Sequence, residues 1–212
     1  MIGVYDYTVL ATYLSLAFGV SGILAAMNGN PYSALLCLMV SGLLDAFDGR
    51  IARTKKNRTE QEKRFGIQID SLNDVVCFGV LPGVIGAASG SGEWWLRGSV
   101  LFYILAALIR LAYFNVTEEE RQSATNEHRR CYLGLPVTSA AFLLPLFYIL
   151  SLRLHLSAAA IYAAGLTLLG FLFITPLRIP KPGLKMILLL ALLGVAEVYL
   201  IFIYSPMLIV HP

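Results

Sequence analysis

Charged residues are scarce in this chain of 212 residues: aspartate, glutamate, lysine and arginine together make up 14%, and the net charge is only +3. So small a positive charge gives no electrostatic support for nucleic-acid binding. Cysteine is also rare, with three widely separated residues that form neither a metal-binding spacing nor a disulfide framework. The three histidines show no ligand spacing either, so nothing in the sequence indicates a zinc site.

What the chain has in abundance is apolar sequence: 58% of its residues are hydrophobic and its mean hydropathy is +0.72. A soluble domain of this size could not bury so much apolar surface. Seven apolar runs follow one another, at 7–27, 32–53, 67–89, 95–116, 134–152, 156–176 and 184–204. Each is close to the ~20 residues that cross a bilayer. We expect an all-α polytopic membrane protein, a bundle of six to seven transmembrane helices in one domain, 1–212.

The basic residues are distributed unevenly between the two sides of this predicted bundle. One side has Arg53, Lys55, Lys56, Arg58, Lys63, Arg64, Arg121, Arg129, Arg130, Arg178, Lys181 and Lys185. The other side has only Arg97 and Arg153. Because positively charged loops stay in the cytoplasm, the bias places the N-terminus and the acidic helix ends on the cytoplasmic side of the cell membrane.

Four aspartates interrupt the apolar pattern. Asp45 and Asp48 are three residues apart on one predicted helix, and Asp70 and Asp74 are four apart on the next. These spacings place each pair on one helix face, so the four carboxylates are expected to converge where the helices meet. Uncompensated acids repel one another and are costly in a membrane, so a cation or a cationic partner is expected there. Oxygen ligands suit Mg²⁺, Mn²⁺ or Ca²⁺.

Small residues accompany the aspartates. Gly49 and Ala52 leave the helix face shallow enough for a nucleotide to lie against the backbone. Arg53 follows one turn beyond Gly49 and could meet a phosphate through a charge-assisted fork. Without the aspartates, these small residues would be interpreted as ordinary helix-packing positions.

Written as a spacing, residues 45–74 read D-x2-D-G-x2-A-R-x12-G-x3-D-x3-D. This resembles the signature of the CDP-alcohol phosphotransferase family, integral membrane enzymes that move a phosphatidyl-type group from a CDP-lipid to an alcohol. All eight motif positions match, although the twelve-residue linker is longer than the family's usual eight or so. The continuation, FGIQIDSLND followed by FGVLP, resembles the phosphatidylserine synthase branch, as do the blocks at 110–115 and 134–136.

The resemblance implies a site and a reaction. It implies a metal site of Asp45, Asp48, Asp70 and Asp74, with two divalent cations, Mg²⁺ or Mn²⁺, and room for Ca²⁺. It implies that Asp74 acts as the general base, and that the nucleotide is bound by Asp45, Gly49, Ala52, Arg53 and Gly66. The substrates would be a CDP-lipid and L-serine, and the products a phosphatidylserine-type lipid and CMP. The resemblance also implies a homodimer with a six-helix core, so that the segment 184–204 would be an addition.

If L-serine is the acceptor, the protein needs a cationic side chain that binds the serine carboxylate. Arg110 stands inside the fourth apolar run, where an arginine is costly unless it serves a function. We expect Arg110 either to bind the serine carboxylate or to pair with one of the aspartates. Arg129 and Arg130 are rival carboxylate ligands, or contacts for anionic head groups. Asn115 hydrogen-bonds the amino acid or caps its helix.

Two alternatives remain open at this stage. The first keeps the donor but uses another acceptor, such as inositol phosphate, glycerol phosphate or choline. The second, from a different class, is a cation transporter that uses the intramembrane acids as its ion site. It predicts ion flux without CMP release and gives no role to the nucleotide-shaped part of the motif.

Overall fold

Each apolar run of the sequence forms a helix. The computed structural model describes residues 3–52, 54–55, 57–90, 92–124, 131–180 and 184–204. Within these ranges the α-helices are α1 Leu10–Met27, α2 Pro31–Ala52, α3 Glu60–Asp74, α4 Leu81–Ala88, α5 Trp94–Ala124, α6 Ala140–Arg153, α7 Ala158–Ile174 and α8 Leu184–Tyr204. The prediction of a helical protein is therefore confirmed.

Three helical stretches are long and apolar enough to cross a membrane: α1, the continuous stretch Glu60–Ala88, and Trp94–Arg121 within α5. Shorter apolar helices occupy Val137–Arg153, Ala158–Ile174 and Leu192–Ile203. These lengths and compositions indicate an integral membrane protein. The predicted total of six to seven spans exceeds the three that meet this criterion in the described part of the chain.

Helices α1 and α2 form an antiparallel hairpin. The turn between them passes through Gly29, whose φ of 73° suits glycine, and the Asn30 side chain accepts the Ser33 amide at 3.1 Å. A β-carbon on Gly22 would lie only 2.9 Å from that of Cys37, so the absence of a side chain lets the two helices approach closely. The hairpin fixes α2, which bears the first two aspartates.

The third helix changes its winding directly after its last aspartate. A capping box begins α3, with the Thr59 side chain accepting the Glu62 amide and the Glu62 side chain accepting the Thr59 amide. Residues Val75–Val80 then form a π-helical segment, and α4 continues the same rod. Pro82 explains part of this change, because it has no N–H to donate to the carbonyl four residues earlier.

A short antiparallel ribbon departs from the all-α expectation. Strand β1 (Cys131–Leu133) pairs with β2 (Arg178–Pro180), with Tyr132 opposite Ile179. The ribbon ties the connection before α6 to the connection after α7. Two three-residue strands that are far apart in the chain carry no periodic signal, which is why the sequence did not predict them.

The main apolar core lies between α2, the π segment, α4, α5, α6 and α7. Its completely buried side chains include Leu35, Leu38, Phe78, Leu81, Ile85, Tyr103, Leu144, Tyr162 and Leu166. This core holds the first half of α2 and the middle of the α3–α4 rod together. The aspartates lie on those two elements.

Candidate active site

Three of the four aspartates meet between α2 and α3. One carboxylate oxygen from each of Asp45, Asp70 and Asp74 lies within 4.8 Å of the other two. Asp74 is buried, with 7% of its surface exposed, whereas Asp45 and Asp70 are half-buried. The i, i+4 spacing on α3 aims the last two at the same point, and the hairpin with α1 brings Asp45 to it.

This group of three carboxylates fits a divalent cation. The Oδ1 atoms of Asp70 and Asp74 are buried and have no hydrogen-bond partner among the described residues. Buried acceptors without partners are costly, and clustered negative charges add repulsion. A hard cation with oxygen ligands would relieve both costs, and the group contains no sulfur or imidazole ligand.

Asp48 lies beside this group, within hydrogen-bonding reach of Asp70. Its Oδ2 accepts a hydrogen bond from the Thr12 hydroxyl of α1 at 3.3 Å. The fourth carboxylate therefore lies next to the other three and also contacts α1. The three-residue spacing on α2 turns Asp48 about 60° from the direction of Asp45, which brings it within reach of Thr12.

A buried polar network underlies the carboxylates. The Ser41 hydroxyl donates to the Ser15 carbonyl at 2.9 Å, and Asn73 Nδ2 donates to the Ser15 hydroxyl at 3.3 Å. The Cys77 thiol donates to Asn73 Oδ1 at 3.2 Å. Ser41 is one turn before Asp45, so the network connects α1, α2 and α3 directly below the site. Sequence reasoning missed it, although small polar residues beside the aspartates were a visible signal.

The small motif residues differ in what lies above them. Apart from the backbone of its own helix, no heavy atom of the described residues lies within 4 Å of where a β-carbon on Gly49 would stand, and Gly49 is exposed. Ala52 is half-buried at the end of α2. A β-carbon on Gly66 would instead meet the Arg58 guanidinium. Arg53, predicted to bind a phosphate, lies outside the described residues.

An ion-pair cluster joins the N-terminal segment to the α2–α3 connection. Lys55 Nζ lies 2.7 Å from Asp6 Oδ2 and 2.8 Å from Glu62 Oε1. The Thr8 hydroxyl and amide also donate to Asp6. The Lys55 ammonium and the Thr8 hydroxyl lower the pKa of Asp6 to about 2. The cluster holds the N-terminal segment against the connection that leads into α3.

Two of the four predicted serine-binding residues, Arg110 and Asn115, lie on α5, next to α3. Asn115 Oδ1 accepts the Ser71 hydroxyl at 2.9 Å, and Ser71 follows Asp70 directly in the chain. Arg110 is buried, and its guanidinium carbon lies 5.1 Å from the centre of the Phe114 ring. Arg129 and Arg130 lie outside the described residues.

Gly134 explains why the turn before α6 can pack on Arg110. Its φ is 76°, and a β-carbon there would stand 2.6 Å from the Phe173 carbonyl oxygen and 3.3 Å from Arg110 Nε. Both the backbone conformation and the close packing require glycine. Arg110 and Gly134, which are 24 positions apart in the chain, therefore meet beside the aspartates' helix.

Proteins of similar sequence identify the family of this chain. The sequence model described as CDP-alcohol phosphatidyltransferase matches residues 8–202. The chain is 31% identical over 183 residues to a CDP-diacylglycerol–serine O-phosphatidyltransferase of Helicobacter pylori, covering 84% of this chain and 73% of that protein. It is 29% identical over 173 residues to the archaetidylserine synthase of Methanothermobacter thermautotrophicus, covering 81% and 68%.

A third relative is similar over a shorter stretch. It is a CDP-diacylglycerol–serine O-phosphatidyltransferase of Mycobacterium tuberculosis, 31% identical over 133 residues, covering 61% of this chain and 44% of that protein. The family match includes the aspartate-bearing helices and extends over most of the chain. The protein therefore belongs to the CDP-alcohol phosphatidyltransferase family.

Proposed function

We propose that this protein transfers a phosphatidyl-type group from a CDP-lipid to L-serine, with release of CMP. The observation that carries the proposal is the meeting of Asp45, Asp70 and Asp74 between two helices of a chain in this family. Serine is proposed as the acceptor because the similar proteins named above are serine transferases or an archaetidylserine synthase. The donor would carry either acyl or ether-linked chains.

The four aspartates are proposed as the ligands of two divalent cations. Asp45, Asp70 and Asp74 supply converging oxygens, and Asp48 adds a carboxylate beside them. Held by these side chains, Mg²⁺ or Mn²⁺ would supply positive charge to the pyrophosphate bridge and to the departing CMP phosphate. Ca²⁺ also fits a set of oxygen ligands.

The nucleotide is proposed to lie over the small residues of the motif. Gly49 has open space above it, which lets a flat base or a ribose approach the α2 backbone. Ala52 and Gly66 continue this surface on the two helices, and Asp45 borders it. Arg53 remains our candidate for a phosphate contact at the end of the same surface.

Asp74 is proposed as the general base. Its Oδ1 is buried and has no partner among the described residues, so it is available to accept a proton. The serine hydroxyl oxygen bonds to the lipid-proximal phosphorus, and the bond between that phosphorus and the CMP oxygen breaks. The hydroxyl proton passes to Asp74, and CMP leaves with the electron pair of the broken bond.

The serine is proposed to enter between α3 and α5. Asn115, already bonded to Ser71, is close enough to α3 to orient the amino acid. Arg110 is proposed to bind the serine carboxylate, because its buried guanidinium lies one and a half turns away on the same helix. Arg129 and Arg130 remain additional candidates for this contact.

The setting of the site is part of the proposal. We place the whole chain in the cell membrane as one domain, with the N-terminus and the aspartates on the cytoplasmic side. The basic residues of the α2–α3 connection support this orientation. A homodimer is proposed on family resemblance alone.

CMP release tests the proposal. The purified protein would be incubated with CDP-diacylglycerol and Mg²⁺ or Mn²⁺, with and without L-serine, with Asp74→Asn as the blank. Inositol phosphate, glycerol phosphate and choline would run in parallel. Release that requires serine and disappears in the variant supports both the acceptor and the base. Release of CMP that requires another alcohol instead would refute serine as the acceptor. Ion flux without CMP release would refute the transferase activity.

A further inference from the structure

Arg58 lies across the face of Gly66. It belongs to the connection between α2 and α3, directly before the capping box of α3. Its Nη2 donates to the Glu62 carbonyl at 3.2 Å. A β-carbon on Gly66 would stand only 2.7 Å from the same Nη2, so the guanidinium occupies the space that a side chain at this position would take.

This position is on the aspartate-bearing face of α3. Gly66, Asp70 and Asp74 are separated by four residues each, so they follow one another along one side of the helix. Each step of four residues advances about 6 Å along the axis. The Arg58 guanidinium therefore lies about one helical turn before Asp70, between the aqueous N-terminal end of α3 and the carboxylates.

The guanidinium has an unused donor. Arg58 Nε is buried and has no hydrogen-bond partner among the described residues. A buried N–H without an acceptor carries a desolvation cost, which a ligand oxygen would remove. The observation points to an acceptor that is supplied from outside the chain.

The nearest acids are already engaged by other groups. Glu62 bonds Lys55 at 2.8 Å and the Thr59 amide at 2.8 Å, and Glu60 bonds Lys63 at 2.6 Å. Within the described ranges, no carboxylate forms an ion pair with Arg58. Because these acids already have cationic partners, we expect the charge of Arg58 to interact with an anion that comes with the substrate.

We infer that Arg58 binds a phosphate oxygen of the CDP-lipid, with Nε as a donor, where the nucleotide passes over Gly66. The inference rests on the proposed function and adds a phosphate ligand to it. A phosphate accepts two parallel N–H bonds from a guanidinium, and the contact is charge-assisted. The absence of a side chain at Gly66 then keeps the space above α3 open for both the guanidinium and the phosphate.

Binding of CDP in the presence of Mg²⁺, measured by calorimetry on the purified full chain in detergent, tests this role. Arg58→Gln is expected to weaken CDP binding roughly tenfold to a hundredfold, the effect of losing one charge-assisted contact. Arg64→Gln is the matched control. It removes the same charge from the same region, from an exposed side chain that does not cover Gly66. Its dissociation constant should stay within about threefold of wild type.

Equal, small effects of the two substitutions would overturn the inference and leave Arg58 as an anchor of the connection. A wild-type protein that binds no CDP would instead refute the proposed donor. Melting temperatures show whether Arg58→Gln is folded. If Arg58→Gln does not fold, Arg58→Lys replaces it in the binding experiment, because lysine keeps the positive charge but lacks Nε. Weaker CDP binding by this variant supports the inference, and wild-type affinity overturns it.

Discussion

The Tyr103 hydroxyl donates a 2.6 Å hydrogen bond to the backbone carbonyl of Phe78, and both residues are completely buried. In an α-helix this carbonyl would accept the N–H of the residue four positions later, but that residue is Pro82. The α5 side chain therefore supplies a donor that the proline lacks. Because a π segment shifts the helix by one residue, this contact helps to fix how Asp74 is rotated relative to α4.

Removing this hydroxyl is expected to cost both stability and activity. Tyr103→Phe leaves the Phe78 carbonyl buried without this donor, a penalty of about 1–3 kcal/mol in the free energy of unfolding. If the π segment relaxes, Asp74 turns away and kcat falls more than either KM rises. Thermal unfolding in detergent and steady-state CMP release measure the two effects. Tyr113→Phe, on the exposed side of the same helix, is the control and should change neither.

Neutralising a clustered aspartate should have opposite effects with and without metal. Asp70→Asn removes one of the mutually repelling charges, so the melting temperature of the metal-free protein should rise. The same change removes a ligand, so the additional stabilisation by Mg²⁺ should shrink and CMP release should fall by at least a hundredfold. Glu60→Gln, which is exposed at the start of α3, serves as the control. A variant that Mg²⁺ stabilises as much as wild type would contradict the ligand assignment.

Arg110 and the acceptor can be tested through the two Michaelis constants. Arg110→Gln is expected to raise the KM for serine at least tenfold more than the KM for the CDP-lipid, because only serine brings a carboxylate to that side chain. Arg97→Gln, an exposed arginine near the start of the same helix, should leave both constants unchanged. Equal increases in both constants would show that Arg110 acts by supporting the fold.

The Asp6–Lys55 pair predicts a specific response to acid. The pKa of Asp6 is lowered from 3.8 to about 2 by its bonds to Lys55 and Thr8. A lowered pKa means that the contribution to stability is complete above pH 3.8 and is lost as the pH falls toward 2. The difference in melting temperature between wild type and Asp6→Asn should be constant above about pH 5 and shrink below pH 4. A difference in melting temperature that is as large at pH 2 as at pH 5 would refute an ionic origin of the stabilisation by Asp6. Glu119→Gln is the control for the general effect of acid on the protein.

Structural features that depend on short spacings in the sequence were predicted correctly. Features that depend on contacts between residues far apart in the chain were not. Period and length located the helices, and the four-residue step of Asp70 and Asp74 placed them on one face. The π segment was not predictable in the same way, because it depends on Pro82 and on a tyrosine 25 residues away from Phe78. The position of Arg58 over Gly66 depends on how the connection folds back, which no residue pattern expresses. The contact of Asp48 with Thr12 of α1 was likewise not predicted, because it joins residues 36 positions apart in the chain.

The hairpin of α1 and α2 also matters for how the protein enters the membrane. Among the described residues, α1 is apolar enough to span a bilayer by itself, but the helix with Asp45 and Asp48 is not. An aspartate near the middle of a span costs about 3 kcal/mol during insertion. We therefore expect α2 to be inserted together with α1, stabilised by the contacts of Ser15 with Ser41 and of Gly22 with Cys37. Gly22→Leu should thus leave α2 outside the bilayer in an insertion assay, although Gly22 packs against Cys37 and Leu81 and not against an aspartate. Correct insertion of α2 without α1 would refute this dependence. The biogenesis of the site, and so its evolution, would then be constrained by a helix that contributes no acid to it.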